Sequence, residues 1–281
     1  MISVLILTRN EEIDLPQCLA SVAWCDDVHV FDSESTDRTR EIAAAAGAHV
    51  TVRSFDGYAS QRNAALTTLP FRHAWVFLLD ADERPTPELA REMLAVTANP
   101  AETIGGFRMR RRDFFAGRWL AHAQLTPFYI RLVRVGRARY TREINEHLEV
   151  DGAVVNLVAP LDHYPFSKGL AYWLARHNTY SSMEAELLAD ASYADAQTPL
   201  KDLLRTALRD PEFTHRRAAQ KAIFYRMPAR PLLKWFYLVL VRGAILDGRP
   251  GMEYATLAAF YEYQIELKRR EILRRRAGGP L

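Results

Sequence analysis

The first hundred residues repeat one pattern four times, and that pattern leaves few folds open. Each repeat is an apolar run, a polar break and a segment with helical periodicity. ISVLILT (2–8) is continuously apolar and rich in β-branched residues, as in a strand buried on both faces. DVHVFDS (27–33), HVTVRSF (49–55) and AWVFLLD (74–80) read as the next three strands. Between them the spacing predicts helices. Asp14 is placed to cap the first, Pro16 lies in its first turn, and Leu15, Cys18, Leu19 and Val22 recur at i, i+3, i+4 and i+7. Ser35 or Thr36 is placed to cap the second, Asp37 favours its N-terminus and Gly47 ends it. YASQRNAALTTL (58–69) is the third, and Thr86-Pro87 opens a fourth with Leu89, Met93 and Val96 on one face. Strand and helix in alternation imply an α/β fold, a mostly parallel sheet with helices on both faces. Ligands of such sheets bind at the carboxyl ends of the strands. Three of those ends carry polar clusters: Thr8-Arg9-Asn10-Glu11, Asp32-Ser33 and Asp80-Ala81-Asp82-Glu83.

After residue 103 the pattern changes. GGFRMRRRDFF (105–115) alternates apolar and basic residues, as a half-exposed strand does. YIRLVRV (129–135), HLEV (147–150) and AVVNLV (153–158) read as further strands, the last two expected to pair as a hairpin about Asp151-Gly152. From 168 the reading is helical almost to the end, broken at Pro228, Pro231 and Pro250.

Composition excludes several classes. With 49% hydrophobic and 25% charged residues the chain is neither disordered nor a disulfide scaffold, and Cys18 and Cys25 are its only cysteines. They point to a reducing compartment. The N-terminal apolar run is too short for a signal peptide, and no run reaches the roughly 18 residues that span a bilayer. The net charge of +3 conceals an asymmetry: residues 1–200 hold 20 Lys/Arg against 26 Asp/Glu, and residues 201–281 hold 17 against 8. The acidic front suits a cation, and the basic tail suits an anionic surface.

LLDADE (78–83) is the sharpest chemical signal. Carboxylates at i and i+2 of a strand end can point the same way, and a cation between them relieves their repulsion. Oxygen ligands suit Mg2+ or Mn2+. The same string also reads as a solvated acidic turn that caps the following helix. Asp32 ends another strand and is placed to accept from an imide N–H or a ribose hydroxyl. Arg62, in a helix after Asp56-Gly57, could reach a diphosphate.

Together these strings resemble a family 2 glycosyltransferase of the GT-A fold, and more narrowly the bacterial β-1,4-glucosyltransferases of lipopolysaccharide core assembly. The matching strings are TRNEE (8–12), FDSESTDRT (31–39), FDGYASQRNAAL (55–66), LLDADE (78–83), GFRMRRRDFFAGRWL (106–120), RLVRVGRARY (131–140), NEHLEVDG (145–152) and LDHY (161–164). RPLLKWFYLVLVRGAILDGRPGMEYATLAAFYEY (230–263) looks like that subgroup's tail. The resemblance implies a GT-A catalytic domain at 1–167, with a nucleotide-binding half (1–100) and an acceptor-binding half (101–167), followed by a helical basic region at 168–281. It implies that Thr8, Asn10, Glu11, Asp32, Arg62, Asp80 and Ala81 bind the nucleotide sugar. Asp80, Asp82 and His163 would hold Mn2+ or Mg2+, with Asp82 the more direct ligand and Asp80 nearer the ribose. Glu146 matches the subgroup's catalytic acid, although Asn145 stands where the family has a histidine and His147 follows. The implied reaction transfers a hexose, glucose in the subgroup, from a UDP-sugar with inversion, Glu146 taking the proton of the acceptor hydroxyl.

Arg108, Arg110 and Arg112 share one strand face, and with Arg131 they read as a groove for an anionic saccharide acceptor, or as a solvated sheet face. The implied acceptor is lipid-linked and belongs to lipopolysaccharide core or another envelope glycan. The implied location is cytoplasmic, with the C-terminal helices lying on the inner membrane or packing on the catalytic domain, and no nucleic acid is expected. Two other classes compete. A haloacid-dehalogenase-type phosphohydrolase also places DxD at a strand end, but the first one and without the Glu83-Arg84 continuation. A non-catalytic membrane-binding module leaves the acidic front unexplained.

Overall fold

The computed structural model describes residues 1–124, 128–141, 147–190, 198–211 and 213–279. The chain divides into two compact units, Met1–Ala121 with Leu125–Lys168, and His122–Gln124 with Gly169–Leu281.

In the first unit, β1 (Ser3–Thr8), α1 (Leu15–Ser21), β2 (Val28–Asp32), α2 (Thr39–Ala45), β3 (His49–Val52), α3 (Tyr58–Thr68) and β4 (Trp75–Asp80) alternate as the periodicity requires. β1 lies between β2 and β4, and β2 pairs β3, all in parallel. After β5 (Glu83–Pro85) and α4 (Pro87–Ala98) come β6 (Ile104–Phe115), β7 (Arg118–Trp119), β8 (Phe128–Arg134), β9 (Ala138–Thr141), β10 (His147–Val150), β11 (Ala153–Asn156) and β12 (Leu161–His163). The sheet runs β3-β2-β1-β4-β8-β6-β12-β5, and β8 is antiparallel to both β4 and β6. β5 follows β4 across Ala81 and Asp82, yet it pairs with β12 at the other end of this order. The sheet is mixed, parallel from β3 to β4 and between β6 and β12, in keeping with the GT-A fold that the resemblance implies.

Both faces of β1 are covered, which explains its uninterrupted apolar run. Val4 and Ile6 join Leu15, Cys18, Leu89 and Met93 of α1 and α4 in one cluster. Leu5 joins Val76, Leu78 and Val133, with Ala65 of α3, in another. Each such large side chain contributes about 1.5–3 kcal/mol of burial.

Three local expectations are corrected. β10 and β11 do not form a hairpin: β10 pairs β9, and β11 lies parallel to β6. Asp151 N–H donates to Arg137 O at 2.8 Å and Ala153 N–H to Thr103 O at 2.7 Å, so the chain changes partners across Gly152. Gly152 turns at φ +109°, where a Cβ would lie 2.7 Å from Thr103 O. The second helix starts at Thr39, and the Asp37 carboxylate, rather than Ser35 or Thr36, accepts from its first N–H at 3.0 Å. Asp14 precedes α1 without capping it through its side chain, which accepts from Ser167 Oγ at 2.7 Å.

The second unit is helical: α5 (Leu170–Ala189), α6 (Leu200–Arg209), α7 (Phe213–Arg226), α8 (Arg230–Phe236) and α9 (Gly248–Arg276). The apolar run 235–241 ends α8 and continues as a π-helical turn, Tyr237–Val241. Leu203 and Ala207 of α6 pack on Ala219 and Ala222 of α7. Asp247 is buried and accepts from the N–H groups of His122 and Ala123 at 3.0 and 2.7 Å, which fixes the short 122–124 segment in this unit.

Candidate functional site

The strand order reverses direction at β1 and β4, and the crevice outside their carboxyl ends is where an open α/β sheet binds ligands. The register puts Thr8 opposite Asp32 and Leu7 opposite Asp80, so all three polar strand ends meet there.

The loops after β1 and β2 are laced together. Asp32 is fully buried; Oδ2 accepts from Thr8 Oγ1 at 2.8 Å and Oδ1 from Ser35 N–H at 2.8 Å. Asn10 sits at φ +56°, a left-handed conformation that Asn tolerates better than most residues. There its N–H donates to Ser35 Oγ and its Oδ1 accepts from Thr36 N–H, both at 2.8 Å. Glu11 pairs with Lys168 at 2.6 Å. Burial outweighs that lysine and pushes the Glu11 carboxyl up to about 7.

At the end of β4 the two aspartates take different surroundings. Asp80 Oδ1 accepts from Arg62 Nη2 of α3 at 3.1 Å, and Oδ2 from Arg131 Nη2 of β8 at 2.7 Å. Burial opposes its charge, but Arg131 and Arg62 prevail and hold Asp80 well below the usual carboxylate range. Ala81 is buried in the core. Asp82 turns away toward β12, where its Oδ2 lies 3.2 Å from His163 Nε2. His163 Nδ1 is bonded to Asp113 of β6, which is itself buried and paired with Arg111 at 3.0 Å. Burial disfavours a charged His163, yet its bonds to Asp113 and Asp82 override that and raise it to about 9.

Asp82 and His163 thus face each other as one oxygen and one nitrogen donor, with a carboxylate behind the far ring nitrogen. That is the arrangement in which a metal-binding histidine is oriented by an outer acid, and an oxygen and a nitrogen donor together fit a divalent cation. Among the described residues, no three His, Cys, Asp or Glu groups converge, so ligand or solvent oxygens would complete such a site.

Of the remaining sequence candidates, Arg131 is buried, its Nη2 shared between Asp80 and Glu83 (2.5 Å). Arg108 and Arg110 are exposed beside the Phe128 ring, at 5.7 and 5.0 Å. Arg108 Nε donates to Asn156 at 2.5 Å, and Arg112 pairs with Asp162 at 2.6 Å. Glu146 lies outside the described residues.

Three participants carry no role in the sequence reading: Glu83, Arg111 and Asp113. Glu83 is fully buried; its Oε2 accepts from Asp80 N–H at 3.1 Å, and burial raises its carboxyl despite Arg131. A signal for the other two was present. In β6, positions 107, 109, 111, 113 and 115 share a face, and Phe107, Met109 and Phe115 make it the buried one. Arg111 and Asp113 interrupt that apolar series.

A model of the family described as "Glycosyl transferase family 2" matches residues 3–160. The lipopolysaccharide core biosynthesis glycosyltransferase LpsC of Rhizobium meliloti (strain 1021) is 29% identical over 195 residues, 66% of this chain and 70% of that protein. An uncharacterized glycosyltransferase of Rickettsia bellii (strain RML369-C) is 38% identical over 99 residues, 35% of this chain and 33% of its own length, so the match spans about a third of that relative. Glucosyl-3-phosphoglycerate synthase from Mycobacterium tuberculosis, solved with Mn2+, UDP and glucosyl-3-phosphoglycerate, is 24% identical at a TM-score of 0.35, over 40% of this chain and 44% of that one.

Proposed function

The chain belongs to glycosyl transferase family 2, and from that premise we propose that it transfers a hexose, glucose, from a UDP-sugar to a saccharide acceptor with inversion, aided by Mn2+ or Mg2+. The observation that carries this reading is the strand-end cluster: Asp80 gripped by Arg62 and Arg131, beside Asp82 facing His163. The proposed catalytic domain is 1–167, with donor residues from 1–100, acceptor residues from 101–167, and a helical basic region at 168–281.

In the proposed mechanism the uridine lies over the interlocked loops of Thr8, Asn10, Glu11 and Asp32, and its diphosphate meets Arg62. Asp82 and His163 would hold the divalent cation, whose chemistry is to neutralise charge on the leaving diphosphate. The acceptor oxygen attacks the anomeric carbon, its proton passes to the Glu146 carboxylate, and the bond to the diphosphate breaks with its electron pair. A single displacement with no enzyme-bound sugar inverts the anomeric centre. The face of Arg108, Arg110 and Arg112 receives an anionic, lipid-linked acceptor of lipopolysaccharide core or a related envelope glycan, at the cytoplasmic face of the inner membrane. The name of the Rhizobium relative supports that acceptor class.

The test is nucleotide release from a panel of UDP-, GDP- and ADP-sugars, with Mn2+ or EDTA, alongside the thermal shift given by UDP plus Mn2+. One UDP-sugar should turn over, and EDTA or Asp82→Ala should abolish the turnover. Glu146→Gln should lose transfer and keep the UDP shift. A ligand that binds only the folded state must raise Tm. Folded protein with neither turnover nor a UDP shift would overturn the proposal.

A further inference from the structure

The second unit leaves an apolar face uncovered. Leu232, Leu233, Phe236, Tyr237, Leu240 and Val241 recur at i, i+1, i+4, i+5, i+8 and i+9 along α8 and the π-helical turn. All six are exposed, Leu240 and Val241 to 71% and 74%. Ile245 and Leu246, in the 3-10 turn that follows, are likewise exposed, at 61% and 63%. The opposite side of the same segment is occupied. Leu238, Val239 and Arg230 are buried, and Trp235 Nε1 donates to Thr256 Oγ1 of α9 at 3.3 Å. The segment is thus anchored by one face and presents the other. A contiguous patch of large apolar side chains on a folded surface marks an interaction site.

Charge identifies the occupant. Residues 213–246 contain seven Lys/Arg and no Asp or Glu. The next carboxylate, Asp247, is buried and spent on the N–H groups of His122 and Ala123. Lys234 and Arg242 lie half-buried at the edge of the apolar face, Lys234 near Glu262 of α9 and Arg242 Nη2 donating to Gln124 O at 3.4 Å, and Trp235, Phe236 and Tyr237 lie between them. Apolar and aromatic side chains bounded by cations suit the interface of an anionic bilayer. No helix among the described residues is long and apolar enough to cross a membrane, so the contact is interfacial.

We propose that this face seats the second unit in an anionic membrane surface. Leu240, Val241, Ile245 and Leu246 enter the acyl boundary, Phe236 and Tyr237 lie at headgroup depth, and Arg226, exposed just before α8, with Lys234 at the edge of the face, reaches lipid phosphates. The proposal deepens the transferase reading, on which it rests for its purpose: it names the surface that holds the enzyme beside a lipid-linked acceptor.

The experiment is flotation of the full chain with phosphatidylcholine vesicles, with and without phosphatidylglycerol, at low and high salt. The protein should float with the anionic vesicles only, and salt should weaken the binding. Leu240→Asp with Val241→Asp should lower partitioning by about tenfold or more. The milder Ile245→Ser with Leu246→Ser should lower it less, at an unchanged Tm. Val158→Asp, at an exposed apolar residue of the first unit (90%), should float like the parent. Equal binding to neutral vesicles would overturn the proposal. So would full binding by the double-aspartate variant, or a patch that proves to join two copies of the chain in sedimentation while vesicle binding is absent. Neither donor nor acceptor is present in this assay, so its failure leaves the transferase reading standing.

Discussion

Arg131→Met tests what holds the acidic strand end together. Methionine keeps most of the buried length and removes the charge. One nitrogen, Nη2, bonds both Asp80 (2.7 Å) and Glu83 (2.5 Å), so its loss strands two carboxylates at once. Removing one member of a buried pair costs about 3–5 kcal/mol, mostly because the partner charge is left uncompensated. Asp80 is 30% exposed and keeps Arg62, so its share is screened. Glu83 has no such relief: its side chain is 0% accessible, and its next cation, Arg111, is 3.8 Å away. The cost therefore falls at the low end, about 3 kcal/mol, or a fall of about 6–12 °C in Tm for a unit of this size.

A second substitution separates this cause from simple loss of packing. In the Arg131→Met background, Glu83→Gln removes the stranded charge and keeps an oxygen for Asp80 N–H. The double variant should recover about 1–3 kcal/mol, measured as a double-mutant cycle in urea. Arg131→Met within about 1 kcal/mol of the parent, or no recovery on adding Glu83→Gln, would refute the reasoning.

Two further predictions concern the neighbouring groups. Asp113→Asn weakens the support behind His163, so the Mn2+ concentration for half-maximal nucleotide release should rise about 10–100-fold, with a smaller change in maximal rate. Glu11 holds its proton to about 7 in the folded chain against 4.5 unfolded, so its contribution to stability is fully present below 4.5 and is lost as pH rises through 7. Glu11→Gln should therefore match the parent near pH 4.5 and exceed it at pH 8, by at most about 3 kcal/mol; a parent that is the more stable of the two at pH 8 would contradict this.

The parallel half of the fold was legible because its information is local. β1 and β4 are apolar runs that stop abruptly at Thr8 and Asp80, and Gly47, at φ +78°, ends α2 where the sequence places it. The pairings of the second half were not legible, because distant residues decide them. Asp151-Gly152 is a strong local hairpin signal. It loses to a partner more than forty residues upstream, since β11 lies beside β6 and brings Asp151 O so near Gly105 that a Cβ there would sit 2.1 Å from it. Arg131 shows the same limit. In YIRLVRV nothing distinguishes an arginine on an open sheet face from a buried one. β8 inserts between β4 and β6, and that long-range placement alone carries the guanidinium to Asp80.

The acidic motif shows how a correct chemical signal can hide its own geometry. Two carboxylates at i and i+2 of a continuing strand share a face and repel, and a cation shared between them is the simplest relief. Here the strand stops at Asp80, and the chain turns through Ala81 and Asp82 before β5. Ala81 is buried in the same cluster as residues of β1 and α1. The turn sends Asp80 to the arginines of α3 and β8, and Asp82 to His163 on β12, which β5 itself brings close by pairing His163 opposite Glu83. The same step that separates the carboxylates thus delivers the histidine. Repulsion between them is met by two different partners, and the two carboxylates take separate roles. Asp80 fixes the reach of Arg62, and Asp82 offers an oxygen beside an imidazole. A residue inserted between Ala81 and Asp82 would shift β5 by one position against β12 and turn Glu83 off its buried face. That insertion should cost both the Asp80–Arg131 grip and the Asp82–His163 pair, whereas an insertion in the exposed β3–α3 loop at Phe55 should cost neither.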